Sequence, residues 1–269
     1  GAAFIEEIDE VPENSTVIFS AHGVAPGVWE SAKRRNLHII DATCPLVTKV
    51  HLESQKFAKE GYDIVVVGHE GHPEVIGTLG QSPQESQLVD TIEAAGKVVV
   101  KDPDRVVALT QTTLSVDDTH EVIEALRSRF PGIVSRSDIC YATTNRQEAT
   151  KALAARVDLV LVIGAQNSSN CNRLREVAQQ AGIPSYLIDG AEDIESDWLE
   201  GVECVGITSG ASTPEVLLEQ VIDFLQPEAV STLTVTSEDV TFVLPKEFQD
   251  QDSGKFAKLR AGYDSTRKG

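Results

Sequence analysis

Residues 38–47 read His-Ile-Ile-Asp-Ala-Thr-Cys-Pro-Leu-Val, and this stretch decides the fold predicted for the chain. The short apolar run is typical of a buried strand, and the proline after the cysteine suits the first turn of a helix. Val50 and Phe57 continue an apolar helix face until Gly61 ends it. Cys44 is therefore predicted at a strand-to-helix junction, where helix N–H groups favour the thiolate that binds metals or attacks substrates. A small buried cysteine without a function is the alternative at this point.

The same pattern of an apolar run, a small polar tip and a helix recurs along the chain. Polar tips occur at residues 20–23, 68–74, 110–115, 164–170 and 209–214, and Cys140 opens a further helix. Continuous apolar strands that alternate with helices predict an α/β protein with parallel sheets covered on both faces. Because ligands of such sheets bind beyond the carboxyl ends of the strands, we expect a polar site at these tips.

The composition is typical of a soluble globular protein, and it limits the possible functions. The 269 residues are 41% hydrophobic and 24% charged, and the formal net charge is −19. This acidity argues against nucleic-acid binding, and no apolar run is long enough for a membrane span. An anionic ligand would have to be held by neutral donors, helix N-termini and histidines. Four cysteines without close pairs indicate a reducing, cytoplasmic compartment and a metal or redox role for some of them.

Residues 68–74 form the densest titratable cluster, with two histidines and two glutamates. Histidine and glutamate at this spacing favour acid–base or ligand chemistry, whereas a turn with incidental polar residues is the alternative. The glycines and the proline of residues 68–74 are incompatible with the continuous helix that a zinc-binding HExxH motif requires. His22, at another strand tip, is by itself compatible with an ordinary loop histidine.

Three further polar groups are ambiguous on sequence alone. Ser168, Ser169 and Asn170 begin a predicted helix, where they would either cap it or hold a phosphate. Ser212 precedes another predicted helix and is open to the same two interpretations, and Thr112 also fits simple strand-end packing. Glycine fingerprints of a P-loop or a dinucleotide fold do not occur in the sequence.

Together these stretches resemble the 4-hydroxy-3-methylbut-2-enyl diphosphate reductase family. The matching text lies at residues 20–24, 41–51, 71–75, 110–119, 138–147, 167–170, 210–214 and 238–246, in family order. The resemblance implies three similar α/β domains in a cloverleaf around one [4Fe–4S] cluster, with one cysteine ligand from each. The expected boundaries are 1–44 for the remainder of the first domain, 45–139, 140–226, and an extended tail over 227–269 with a disordered end.

The resemblance also implies a reaction. In this family two electrons from a donor such as ferredoxin or flavodoxin remove the hydroxyl of (E)-4-hydroxy-3-methylbut-2-enyl diphosphate. The products are isopentenyl and dimethylallyl diphosphate, at the end of the non-mevalonate isoprenoid pathway. Carried over by position, Cys44 and Cys140 match cluster ligands, Glu74 matches the proton donor or relay, and Thr112 lies beside the reacting end of the substrate. The diphosphate pocket is matched by His22, His72, Ser168, Ser169, Asn170 and Ser212.

The family pattern also contains a third cluster cysteine and a further diphosphate-binding histidine, which would precede residue 1. Cys171 and Cys204 match no ligand position, and we interpret Cys171 as structural or incidental and Cys204 as inert core. For these 269 residues alone the expectation is therefore weak or no turnover. Two other functions stay open: a zinc-dependent hydrolase built on His22, His69, His72 and a cysteine, and a non-catalytic phosphate-binding module.

Overall fold

The computed structural model describes residues 2–136 and 138–236, which form nine strands and eight α-helices. The strands are β1 (Thr16–Phe19), β2 (His38–Asp41), β3 (Asp63–Val67), β4 (Ser86–Val89), β5 (Val106–Thr110), β6 (Val134–Ser135), β7 (Leu159–Ile163), β8 (Ser185–Ile188) and β9 (Val205–Ser209). The helices are α1 (Pro26–Arg34), α2 (Pro45–Lys59), α3 (Pro73–Leu79), α4 (Ile92–Lys97), α5 (Val116–Arg129), α6 (Tyr141–Ala154), α7 (Ser169–Gln180) and α8 (Glu215–Leu225).

The strands of the described residues form three parallel sheets, which confirms the predicted α/β class. Their orders are β1-β2, β4-β3-β5-β6 and β8-β7-β9. Every residue of β3, β5 and β7 is buried, as continuous apolar runs predict for strands covered on both faces. The strands end in register, because Phe19 pairs with Asp41 and Ile163 pairs with Ser209. The loops that follow neighbouring strands therefore begin side by side.

The described residues fall into two compact units. The first contains residues 2–56 and 71–84, and the second contains residues 57–70 and 85–236. In the core of the first unit, the ring of Trp29 meets that of Phe19 edge to face, with centroids 4.9 Å apart. In the second unit, Trp198 stacks on Tyr186 with centroids 3.8 Å apart.

Most predicted helices lie close to their expected positions. α2 follows Cys44 directly, as the proline predicted, and Val50 and Phe57 are buried along it. The prediction did not include β4, β6, β8 or α4. Residues 227–236 contain neither helix nor strand, and the matching text at 238–246 and the predicted disordered end lie outside the described residues. None of the described helices combines the length and apolarity needed to cross a membrane.

The prediction for Cys204 is wrong, because this residue is exposed and precedes β9. The carboxylate of Asp158 accepts hydrogen bonds from the backbone N–H groups of Glu203 and Cys204, at 3.1 and 2.9 Å. These bonds hold the segment just outside the strand. Cys171, in contrast, is only 2% exposed.

Candidate active site

In the first unit, parallel pairing of β1 and β2 brings the loops of His22 and Cys44 together. The backbone N–H of Cys44 donates to the carbonyl of Ala21 at 3.0 Å. The thiol is half-buried, forms no disulfide and directly precedes α2. The predicted strand-to-helix junction is therefore confirmed, because Cys44 lies between the end of β2 and the first residue of α2.

His72 and Glu74 belong to the start of α3. His72 is the N-cap residue, and its Nδ1 accepts a hydrogen bond from the backbone N–H of Glu74 at 3.2 Å. An imidazole that accepts through Nδ1 carries its proton on Nε2, so neutral His72 can donate from that atom. Glu74 is only 2% exposed and lies in the first turn of α3.

The rings of His22 and His72 meet edge to face, with centroids 5.4 Å apart. The hydroxyl of Ser20 lies 3.2 Å from Nδ1 of His22. Partial burial of the His22 ring disfavours the charged imidazolium and lowers its pKa below the ordinary value of 6.5. The first unit therefore brings together His72 and His22, whose neutral form is favoured, near the loop that holds the Cys44 thiol.

In the second unit, the segment before α6 runs alongside the end of β5. The backbone N–H of Asp138 donates to the Thr110 hydroxyl at 3.2 Å, and that of Cys140 donates to the carbonyl of Thr112 at 2.9 Å. Cys140 is a half-buried free thiol at the N-cap of α6, and Thr112 is buried. The thiol therefore follows a segment that is hydrogen-bonded to the end of β5, and it directly precedes a helix.

A side-chain network joins the end of β5 to the start of α7. The amide nitrogen of Gln111 donates to the hydroxyls of Thr113 and Ser169, at 2.8 and 3.3 Å, and Thr113 donates to Ser169 at 3.1 Å. The amide oxygen of Gln111 accepts from the backbone N–H of His69 at 3.0 Å. Because the Ser169 oxygen accepts twice here, its own proton is left to donate to a ligand. Gln111 is buried, and the sequence analysis did not single it out; its position between two strand-tip threonines was the available signal.

Ser168 caps α7, since its hydroxyl oxygen accepts from the backbone N–H of Cys171 at 3.3 Å. The capping interpretation is confirmed, and the hydroxyl proton stays available as a donor. Asn170 is 9% exposed, and within the described part of the chain its buried Oδ1 has no hydrogen-bond partner. Ser212 lies in the exposed turn that follows β9. Thr213 in the same turn donates from its hydroxyl to the Ile163 carbonyl at 3.0 Å.

The two thiols fit the ligand chemistry of an iron–sulfur cluster. Such clusters are bound through cysteine thiolates, and Cys44 and Cys140 are both accessible, unbridged and placed at helix N-termini. Among the described residues, no three His, Cys, Asp or Glu side chains are grouped so that they could hold a metal ion. His69 belongs to the second unit, whereas His22 and His72 belong to the first.

Comparisons with known proteins agree on one family. The family model for the LytB protein matches residues 1–226. A 4-hydroxy-3-methylbut-2-enyl diphosphate reductase of Aromatoleum aromaticum is 53% identical over 257 residues, covering 94% of this chain and 82% of the relative. The structure of the E-1-hydroxy-2-methyl-but-2-enyl-4-diphosphate reductase from Plasmodium falciparum matches with a TM-score of 0.89 at 36% identity, covering 97% and 83% of the two chains. A second solved reductase, described as the terminal enzyme of the non-mevalonate pathway, matches with a TM-score of 0.57 at 38% identity, covering 81% and 78%.

Proposed function

The chain belongs to the LytB protein family, and from this premise we propose that it reduces (E)-4-hydroxy-3-methylbut-2-enyl diphosphate to isopentenyl and dimethylallyl diphosphate. The substrate gains two electrons and two protons, its allylic C–O bond breaks, and the hydroxyl leaves as water. The observation that carries the proposal is that each compact unit places a half-buried free thiol next to uncharged hydrogen-bond donors at its strand ends. A phosphate-binding module without catalysis would have no use for the thiols.

Members of the family use a [4Fe–4S] cluster, for which Cys44 and Cys140 are the proposed ligands in this chain. When bound, such a cluster supplies electrons and a Lewis-acidic iron. The protein's own contribution there is two cysteine sulfurs, which directly precede α2 and α6.

The proposed diphosphate pocket uses neutral donors, as expected for a protein of net charge −19. His72 donates from Nε2, because the Glu74 backbone fixes its tautomer. Ser168 and Ser169 keep their hydroxyl protons for the ligand, because their oxygens already accept hydrogen bonds from the protein. His22, Asn170 and Ser212 complete the proposed set.

Glu74 and Thr112 are proposed to act at the reacting end of the substrate. Glu74 is buried in the first turn of α3, out of bulk water, which suits a group that holds and delivers a proton. Thr112 is fixed through its carbonyl, which accepts from the Cys140 backbone, and its buried hydroxyl is a donor toward the substrate oxygen.

The proposal also includes an electron donor, a cellular compartment and domain boundaries. An external carrier such as ferredoxin or flavodoxin supplies the electrons, and the four unbridged cysteines support a reducing cytoplasm. The three sheets support a division into three α/β domains with boundaries near residues 44, 139 and 226.

The test is anaerobic loading of the chain with iron and sulfide, followed by turnover with a chemical reductant, normalised to bound iron. For the unchanged chain we expect both products, at the low rate expected for these 269 residues. Cys44→Ser and Cys140→Ser should lose iron, whereas Cys204→Ser, the exposed control, keeps it. Glu74→Gln should keep its iron but lose about 100-fold or more in turnover per iron, the usual size of an acid–base contribution. Bound zinc without iron or labile sulfide would favour a hydrolase instead. Iron retained with no diphosphate product would overturn the proposal.

A further inference from the structure

We infer that Cys171 is a positioning residue that sets the distance between two loops of the diphosphate pocket. This inference rests on the proposed function. The loops are residues 164–170, which follow β7, and residues 210–214, which follow β9. They contain the proposed diphosphate donors of the second unit, Ser168, Ser169, Asn170 and Ser212.

The Cys171 sulfur occupies the space between the two strand ends. A Cβ atom added at Gly164 would lie 2.3 Å from this sulfur, and one added at Gly210 would lie 2.5 Å from it. Real Cβ atoms do not approach other atoms this closely. The sulfur therefore packs directly on the backbone of both loops, and each loop needs a glycine at that point.

Backbone contacts make the sulfur a spacer between the loops. β7 and β9 end side by side, and the N–H of Gly210 donates to the carbonyl of Ile163 at 3.1 Å. On the other side, the backbone N–H of Cys171 holds the Ser168 hydroxyl at 3.3 Å. A change of size at position 171 would therefore move Ser168 and Ser212 relative to each other, since close-packed interiors transmit such strain.

An ordinary core role is the competing explanation. Cys171 also packs in a core cluster with Val160, Val162 and Leu174, so its replacement would affect stability whatever it does for the ligand. The two explanations differ in ligand affinity. If Cys171 is a spacer, the effects of substitutions at positions 171 and 210 on the diphosphate affinity of the folded protein depend on each other. An ordinary core role predicts no such dependence.

The test is a double-mutant cycle on the full chain, with inorganic diphosphate as the probe in isothermal titration calorimetry. Gly210→Ala should weaken binding on the order of tenfold, because the new methyl group meets the sulfur. Adding Cys171→Ala should restore most of the affinity, since the atom that remains closest is the Thr213 hydroxyl oxygen at 3.1 Å. Gly96→Ala is the matched control, because a Cβ there meets nothing within 4 Å.

Affinity in the double variant no better than in Gly210→Ala would overturn the inference, and so would a Gly210→Ala variant that binds as the wild type does. Circular dichroism shows whether Gly210→Ala is folded at the assay temperature. If it is unfolded, the single variant Cys171→Ala decides between the two explanations. Weakened diphosphate binding in that variant supports the spacer, and unchanged binding overturns it. A wild-type chain that does not bind diphosphate would instead overturn the proposed pocket itself.

Discussion

The histidines of the first unit show how single residues would serve the proposed anion site of an acidic protein. His22 and His51 both have pKa values lowered below 6.5 because burial disfavours the imidazolium, although Asp41 partly opposes this at His51. A neutral imidazole avoids the cost of a buried charge in the free protein and still donates one hydrogen bond. A diphosphate bound beside His22, as proposed, would favour the protonated ring and so couple ligand binding to proton uptake.

These lowered pKa values predict a loss of stability on mild acidification. Below pH 6.5 the unfolded chain takes up protons at both histidines before the folded chain does, so the free energy of unfolding should fall as the pH decreases from 7 toward about 5.5. Urea unfolding followed by circular dichroism measures this dependence. His22→Gln should reduce the slope, and saturating inorganic diphosphate should do so as well. A slope of opposite sign in the wild type would contradict the assignment of neutral histidines.

At the scale of elements, Gln81 joins α2, α3 and the loop after β1. Its amide nitrogen donates to the Gly77 and Val24 carbonyls at 2.9 and 3.2 Å and lies 3.2 Å from Nδ1 of His51. Its amide oxygen accepts from the Gln55 amide at 2.8 Å. The Gln81 side chain therefore holds α3, which has His72 as its N-cap and Glu74 in its first turn, against α2, which follows Cys44.

Gln81→Leu is expected to lower the free energy of unfolding by about 1–3 kcal/mol, because it leaves buried acceptors without donors. Urea unfolding gives the difference, and Gln84→Leu is the matched control, since Gln84 is exposed. An equal loss in both variants would show that the hydrogen bonds of Gln81 contribute nothing beyond the change in side-chain type.

The strands differ in whether the sequence alone could predict them. β3, β5 and β7 are continuous apolar runs, and their polar tips could be predicted because no tertiary information is needed to find them. β4 and β8 are four residues long and include polar or aromatic residues, and β6 has only two residues. Such short strands lack a continuous apolar run, so their formation depends on pairing with the neighbouring strand of the sheet. Gln111 was missed for a similar reason, because two of its partners, His69 and Ser169, are distant in sequence.

At the scale of the whole molecule, the net charge of −19 opposes the approach of an anionic substrate. The proposed site residues would compensate with short-range hydrogen-bond donors, which act only after the ligand has arrived. Affinity and association rate should therefore respond differently to salt.

The association rate constant of inorganic diphosphate should rise at least about twofold between roughly 20 and 200 mM NaCl, because salt screens the repulsion. Stopped-flow binding measures it, and sucrose at equal osmolality controls for solvent effects. A rate that falls with salt would show that the field at the site is attractive despite the charge of the chain.

The two tryptophans of the chain are divided between the compact units, with Trp29 on Phe19 in the first and Trp198 on Tyr186 in the second. Each unit therefore contains one indole with its own aromatic neighbour. Replacing either tryptophan with phenylalanine leaves a chain whose intrinsic fluorescence reports on a single unit. Emission spectra of the two variants can thus reveal whether the units melt together or one after the other.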